Sequence, residues 1–356
     1  MNVGFPVGTE TTYRQRLKLS DFCVQVLSDD RLTFSPEPIS RDGFINRVFL
    51  NFRNSARASR RVSTEKLIDE AKAAYLAAFP ADDPRTGKPL AGFLDDLRTR
   101  ILSQTDDIPL YDDFGDSVSL LVNLHEETLN VLRGSPEADG YDGYDGRYIA
   151  AVLEEYAHLP IIRRLHIYFA KEIELIKSVI REEHVLSAAT QFGRYHVLPI
   201  GISRGAMDSE LFLLCYSRKA TAVSEEKVPY QPASLRFTTF KPDSLVDTGI
   251  QRRIAKSERE EIMTRMKQTG VPYLLSAPTE ITVRLTKEGE KRFRRYAFQR
   301  PTAVSHSDEH ILTFQCTERQ AFNYFVSFGK DAEIIKPDSL KNELQNFYRA
   351  ALRDTE

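Results

Sequence analysis

The chain reads as an α+β protein, with strand-like and helix-like runs segregated into successive regions. Three observations carry that reading. Residues 13–19, YRQRLKL, alternate in strict period two and are followed by two runs of helical period. Arg194 to Leu245 holds three short runs dense in β-branched, aliphatic and aromatic residues, separated by Gly, Pro and Ser clusters. The C-terminal region repeats the order strand, helix, strand, strand, helix, strand, and closes on a helix.

In the N-terminal alternation Arg14, Arg16 and Lys18 share one face, and Tyr13, Gln15, Leu17 and Leu19 share the other. Ser20 and Asp21 then cap a helix carrying Phe22, Val26 and Leu27, which ends at the proline-containing segment SPEP. A second helix starts at Ser40 and puts Phe44, Ile45, Val48, Phe49 and Phe52 on one face. Its free N–H groups suit a phosphate. A lone strand leaves backbone groups unpaired unless a second chain supplies its partner, so a homodimer is expected. The three cations suit a nucleic acid, and an ordinary solvated face would carry them too.

Ser63 to Phe79, Phe93 to Leu102 and Val118 to Leu132 read as helices of a connector, from apolar residues at three- and four-residue spacing. The segment ADGYDGYDGR, residues 138–147, places Asp139, Asp142 and Asp145 at every third position. An EF-hand loop needs acidic ligands at alternate positions and a closing Glu, so this reads as an acidic turn. From Arg147 the pattern is helical to about Ser187, interrupted at Pro160, and its second half should pack along the strands that follow through Ile167, Ile173, Ile176 and Ile180.

Leu211 to Tyr216 is apolar throughout, which predicts a strand covered on both faces. The cations sit around such runs: Arg194 and His196 lead into the first, Arg218 and Lys219 leave the second, and Arg236 and Lys241 bracket the third, Leu235 to Phe240. A small twisted sheet with cations converging at its open face is expected. Leu211-Phe212-Leu213 stands where the WYL domain family carries its Trp-Tyr-Leu signature, Pro199 lies upstream in the matching place, and Arg236 keeps the family's first third-strand arginine while Thr239 replaces the second. The region therefore resembles a WYL domain. That resemblance implies a small Sm-like barrel and nucleic-acid or nucleotide sensing in bacterial regulators and defence systems.

After a charged helix, Ile254 to Lys267, the order is strand (Glu280–Thr286), helix (Glu288–Tyr296), strands (Pro301–Ser305 and Ile311–Cys316), helix (Glu318–Phe328), strand (Ala332–Lys336) and helix (Asp338–Leu352). This order predicts a split-βαβ, ferredoxin-like sandwich. The region resembles the extension that follows WYL domains. VRLTKEGEKRFRRYAFQRP and NYFVSFGKDAEIIKPDSLKNELQNFYRAA are similar to the C-terminal region of the WYL accessory proteins of type VI-D CRISPR systems. Those proteins also carry a ribbon-helix-helix N-terminus, which the Ile-Ser-Arg opening of the second helix and the strand before it resemble. The expected division is 1–60 ribbon-helix-helix-like, 61–189 helical connector, 190–249 WYL domain and 250–356 C-terminal α/β dimerisation domain.

The charge balance is even, 49 basic against 51 acidic residues, so nucleic-acid affinity must come from segregated patches. The cluster Lys291, Arg292, Arg294, Arg295 and Arg300 is interleaved with Phe293, Tyr296 and Phe298, a mixture in which cations track phosphates and rings stack on bases; on a helix the rings can equally face a sheet. Cys23, Cys215 and Cys316 are far apart and set in apolar runs, which fits reduced thiols in the cytoplasm. No run approaches the length of a membrane span. Walker, G-x-S-x-G, HExxH and GxGxxG motifs are absent, so no catalytic residue, metal ligand or cofactor is assigned. The loop SHSDEH, with His306 and His310, reads as an exposed turn rather than a metal site.

The residues thus point to a binding protein. Joined to the resemblance, they imply a homodimeric, non-enzymatic accessory protein that binds single-stranded RNA and modulates an RNA-guided CRISPR ribonuclease, with the effector–guide complex as a further partner. A ligand-sensing transcription regulator on duplex DNA and a scaffold without nucleic acid are the alternatives.

Overall fold

The computed structural model describes residues 13–79, 87–102, 117–133, 141, 144–205, 209–220, 228–274, 277–297, 299–306 and 310–353; the side chains of 60–67, 101, 102 and 306 lie outside that description. Asp139 and Asp142 of the acidic turn and Phe298 fall outside it too. The fold mixes helices with antiparallel sheets. It divides into two compact units, Met1–Ala170 and Lys171–Glu356.

In the first unit, β1 (Tyr13–Ser20) leads through α1 (Asp21–Thr33) and α2 (Arg41–Phe52) to α3 (Arg57–Ala78) and α4 (Lys88–Leu102). Ser20 and Ser40 cap the first two helices, accepting from the N–H groups of Cys23 at 3.1 Å and Gly43 at 3.0 Å. Then follow β2 (Ser117–Leu124), α5 (Glu126–Arg133), α6 (Asp145–Ala157) and α7 (Ile161–Tyr168). Two carboxylates of α6 join these elements. Glu154 accepts from the N–H and hydroxyl of Ser20 at 2.6 and 2.9 Å, and Glu155 from the N–H groups of Arg57 and Ala58 at 3.0 Å each. These buried charges are thereby satisfied by donors at helix N-termini.

The partner of β1 is β2 of the same chain, antiparallel, with Tyr13 opposite Leu124 and Ser20 opposite Ser117. This corrects the helix expected over Val118 to Leu132. SVSLLVNL is β-branched and aliphatic, and pairing with β1 decides what short apolar runs leave ambiguous. It also removes the reason for requiring a second chain, since the ribbon closes within one molecule.

The second unit opens with α8 (Ala170–Glu182), where the expected helix to Ser187 stops early. Glu183 takes a left-handed φ of 55°, and β3 (His184–Thr190) begins. β4 (Gly193–Arg204), β5 (Leu211–Lys219), β6 (Gln231–Arg236) and β7 (Phe240–Gln251) complete a five-stranded antiparallel sheet in the order β6-β5-β4-β3-β7. Leu211 to Ser217 are all buried, as the apolar run requires. Val179 and Ile180 of α8 lie against Leu198 and Pro199 of β4 around a small cavity. The third run is not one strand. Phe237–Thr239 form a 3-10 turn that sends Phe237 inward to meet Phe240 edge to face at 5.4 Å, and the Thr239 hydroxyl donates to the Arg236 carbonyl at 2.6 Å.

α9 (Lys256–Thr269) covers the sheet with Ile262, which is buried with Val185, Leu198, Leu214 and Tyr216. The C-terminal elements are β8 (Thr279–Leu285), α10 (Lys287–Arg295), β9 (Ala303–His306), β10 (Ile311–Cys316), α11 (Glu318–Phe325), β11 (Ala332–Lys336) and α12 (Asp338–Arg353). Their antiparallel sheet has the order β11-β8-β10-β9, and Phe314, Phe325, Phe328 and Leu340 fill its core.

Candidate nucleic-acid interface

The β3–β4 hairpin turns through Gln191 and Phe192, and Gly193 has a φ of 122°, a left-handed conformation that glycine tolerates. Thr190 holds the turn, its hydroxyl donating to the Gly193 carbonyl and accepting from the Phe192 N–H, both at 3.1 Å. The Gln191 N–H donates to the Thr239 carbonyl at 3.0 Å, tying the hairpin to the 3-10 turn. The Phe192 ring is left 65% exposed at the tip.

Below that ring lies an open cavity of about 600 Å³, walled by Phe192, Tyr195, Phe212, Leu235 and Pro272, with Arg236 on its wall. The Arg236 guanidinium stands 5.7 Å over the Phe212 ring and its Nη2 is 3.0 Å from Glu210 Oε1. An exposed ring and a guanidinium on one cavity wall suit an unstacked base with its phosphate, because every base has a face to stack and a charge to neutralise. The pair with Glu210 leaves Arg236 already matched by a carboxylate.

Three of the other cations expected at the barrel, Arg194, His196 and Arg218, lie on the opposite side of the sheet. Strand alternation puts Arg194 and His196 on the side of β4 opposite Tyr195, away from the cavity. His196 is opposite Arg218 across β4 and β5, and the Arg218 guanidinium lies 4.7 Å over the Tyr230 ring, which Arg252 also approaches to 4.2 Å. Lys241 is half-buried at the start of β7. The convergence of all six barrel cations on one open face is therefore not found: Arg236 is on the cavity wall, Lys219, opposite Tyr195, shares that side of the sheet, and Arg194, His196 and Arg218 take the other side.

At α10, Arg294 and Arg295 are exposed, Arg294 lying 3.9 Å from Glu290. Arg292 lies over the Phe328 ring at 5.3 Å and over Tyr296 at 5.9 Å. Arg300 donates to the Phe293 carbonyl at 3.1 Å and stands over its ring. Phe293 packs on Phe314 and Tyr324, so it serves the core, while Tyr296 is exposed.

On the first unit, Arg14 and Arg16 are exposed and Lys18 half-buried on one face of the β1–β2 ribbon, with Leu17 and Leu19 buried beneath. Arg14 Nε donates to Asn123 Oδ1 at 3.3 Å. At the start of α2 the Asp42 carboxylate is already engaged, by the Asn123 N–H and side-chain amide at 3.0 and 2.7 Å and by Arg41. Those hydrogen bonds hold its carboxyl below the usual range against the cost of burial.

Among the described residues, Glu182, His184 and Asp247 form the one group of metal-ligating type. Within it His184 Nδ1 is 3.0 Å from Asp247 and 3.4 Å from Glu182, and the hydrogen bond from His184, then that of the Gly249 N–H, holds the Asp247 carboxyl low. His310 Nδ1 bonds Glu290 at 2.8 Å. Sequence reasoning missed Phe192 and Tyr195. Their signal was a turn-forming Phe-Gly between two strands, hidden while β3 was read as helix.

Residues 277–352 match the WCX domain, a WYL-related module. No curated protein matches the chain. The fold is similar over 99% of this chain and 98% of the other to a crystal structure described as a CRISPR Cas-related protein, at 18% identity and a TM-score of 0.67. A second similar structure is the proteasome accessory factor B/C of Arthrobacter aurescens, at 13% identity and a TM-score of 0.27, over 98% of this chain and 65% of that one.

Proposed function

We propose that this WYL-type chain, with its WCX domain at 277–352, is a non-enzymatic accessory protein that binds single-stranded RNA and modulates, by stimulation, an RNA-guided type VI-D CRISPR ribonuclease. The observation that carries the proposal is the cavity with Phe192 and Arg236 on its wall: an exposed ring and a cation lining one cavity favour unstacked bases, which a duplex does not offer. The likeness in fold to a CRISPR Cas-related protein supports the setting. The order β6-β5-β4-β3-β7 supports a small Sm-like barrel, and β11-β8-β10-β9 a ferredoxin-like sandwich. The experiment is a ribonuclease assay with the effector–guide complex and its target RNA. Added protein should raise the cleavage rate and Arg236→Ala should diminish that rise; no effect of the wild-type protein would remove the accessory role.

A second reading is favoured by one specific feature. The β1–β2 ribbon presents Arg14, Arg16 and Lys18 from a single chain, and a two-stranded ribbon fits the major groove of duplex DNA. A transcription regulator would use that face. Self-association belongs to the proposal through α12, where Phe347 and Leu352 are exposed; a monomer mass by light scattering would remove it.

A further inference from the structure

A second cleft, of about 410 Å³, lies within the C-terminal unit between the end of β4, the turn after α9 and the WCX domain. Arg204, Lys267 and Arg300 stand around it, all exposed. Met266, Val271 and Pro272 give it an apolar wall. One side is held firmly, since the Tyr273 hydroxyl donates to Gln299 Oε1 at 2.8 Å and the Asn323 amide donates to that hydroxyl at 3.4 Å.

Gln320 lines the same cleft from the first turn of α11 and is only 7% exposed. Its backbone N–H is satisfied by the Thr317 hydroxyl at 3.1 Å, but its side-chain Oε1 is buried with no hydrogen-bond partner. Buried acceptors are nearly always paired, so an orphan at a cleft marks a place where a donor belongs. The last torsion of a Gln side chain is broad, so the carboxamide can turn into the cleft with little strain. A carboxamide offers a donor and an acceptor side by side, the pattern that pairs with the N6 amine and N7 of adenine, whereas inosine presents two acceptors, O6 and N7, on that edge. An apolar wall for the ring and cations for the phosphate complete a nucleotide site.

We propose that this cleft is a base-reading subsite that takes one unstacked adenine of a bound RNA strand, with Gln320 accepting from its exocyclic amine and Arg300 and Lys267 holding the adjacent phosphate. The subsite rests on the reading of the protein as a single-stranded RNA binder and adds a base preference to it. Pro272 lines this cleft and the aromatic cavity alike, and Glu210, the ion-pair partner of Arg236, lines this one, so the two sites adjoin and one strand can occupy both.

The test uses the full chain and three labelled RNA strands in fluorescence anisotropy: all uridine, uridine with one central adenosine, and uridine with one central inosine, which keeps the purine and replaces the amine by a carbonyl. The adenosine strand should bind about tenfold more tightly than the other two. Gln320→Met should lower adenosine-strand affinity to that of the uridine strand. Lys267→Ala, an exposed position, should weaken all three. Equal binding of adenosine and inosine strands overturns the subsite while leaving RNA binding in place, and requires no variant to fold. Failure of every strand to bind overturns RNA binding itself, and the subsite with it.

Discussion

Arg236 and Glu210 should act on RNA affinity with opposite signs. Their ion pair is 3.0 Å long, and the two side chains are 45% and 27% exposed, so solvent screens it to roughly 0.2–1 kcal/mol. A phosphate that claims Arg236 gives up that attraction. Glu210→Gln removes the competitor and should tighten RNA binding by roughly 1.5- to 5-fold. Arg236→Ala removes a charge-assisted hydrogen bond and leaves Glu210 facing the phosphate unopposed. Its loss should be about 1–2 kcal/mol, or roughly 5- to 30-fold. Neither change should lower the melting temperature much, because the pair is at the surface. Fluorescence anisotropy with one labelled single strand at fixed ionic strength measures both. If the two variants, each shown folded, shift affinity in the same direction or leave it unchanged, Arg236 does not hold phosphate.

The Phe192 ring is exposed and contributes little to the core, so Phe192→Ala should keep its stability and lose about 1–3 kcal/mol of RNA binding by anisotropy if it stacks on a base. Arg236→Ala should also make the dependence of log affinity on log salt shallower by about 0.7, the share of one phosphate on a single strand. Burial lifts the Asp30 carboxyl from 3.8 to about 6 against the Tyr156 hydrogen bond and the Arg164 charge. An acid raised in the folded state contributes its full stability below 3.8 and loses it as pH rises through about 6. The melting temperature of the wild type should therefore fall across that window relative to Asp30→Asn, and parallel curves would refute the burial argument. A Cβ on Gly289 would collide with the Asp331 carbonyl oxygen, so Gly289→Ala should destabilise the C-terminal unit by roughly 1–3 kcal/mol in denaturant titration.

The C-terminal elements were legible because their boundaries carry local chemistry. Thr286 and Thr317 cap α10 and α11, and the expected strands Ile311–Cys316 and Ala332–Lys336 coincide with β10 and β11. The N-terminal alternation was equally plain, and Leu17 and Leu19 are buried as period two demands. What failed was pairing. Nothing within residues 117–124 distinguishes an apolar strand from an apolar helix until β1 lies beside it. Between α8 and β3 the chain turns at Glu183 with neither Gly nor Pro to announce it, and that hid the hairpin carrying Phe192. The site was half legible for the same reason. Arg236 could be singled out from its place in the motif, but its Glu210 partner and the opposite facing of Arg194 and His196 depend on register across strands.

The most direct measurement is a competition titration of one labelled single-stranded RNA against unlabelled RNA of the same sequence and against matched duplex DNA, at a single ionic strength. Stacking in the aromatic cavity predicts that the single strand displaces the label at much lower concentration than the duplex, and that Phe192→Ala narrows the gap. A duplex that competes better than the single strand, with displacement abolished by loss of Arg14 and Arg16 instead, would contradict the account and place binding on the β1–β2 ribbon.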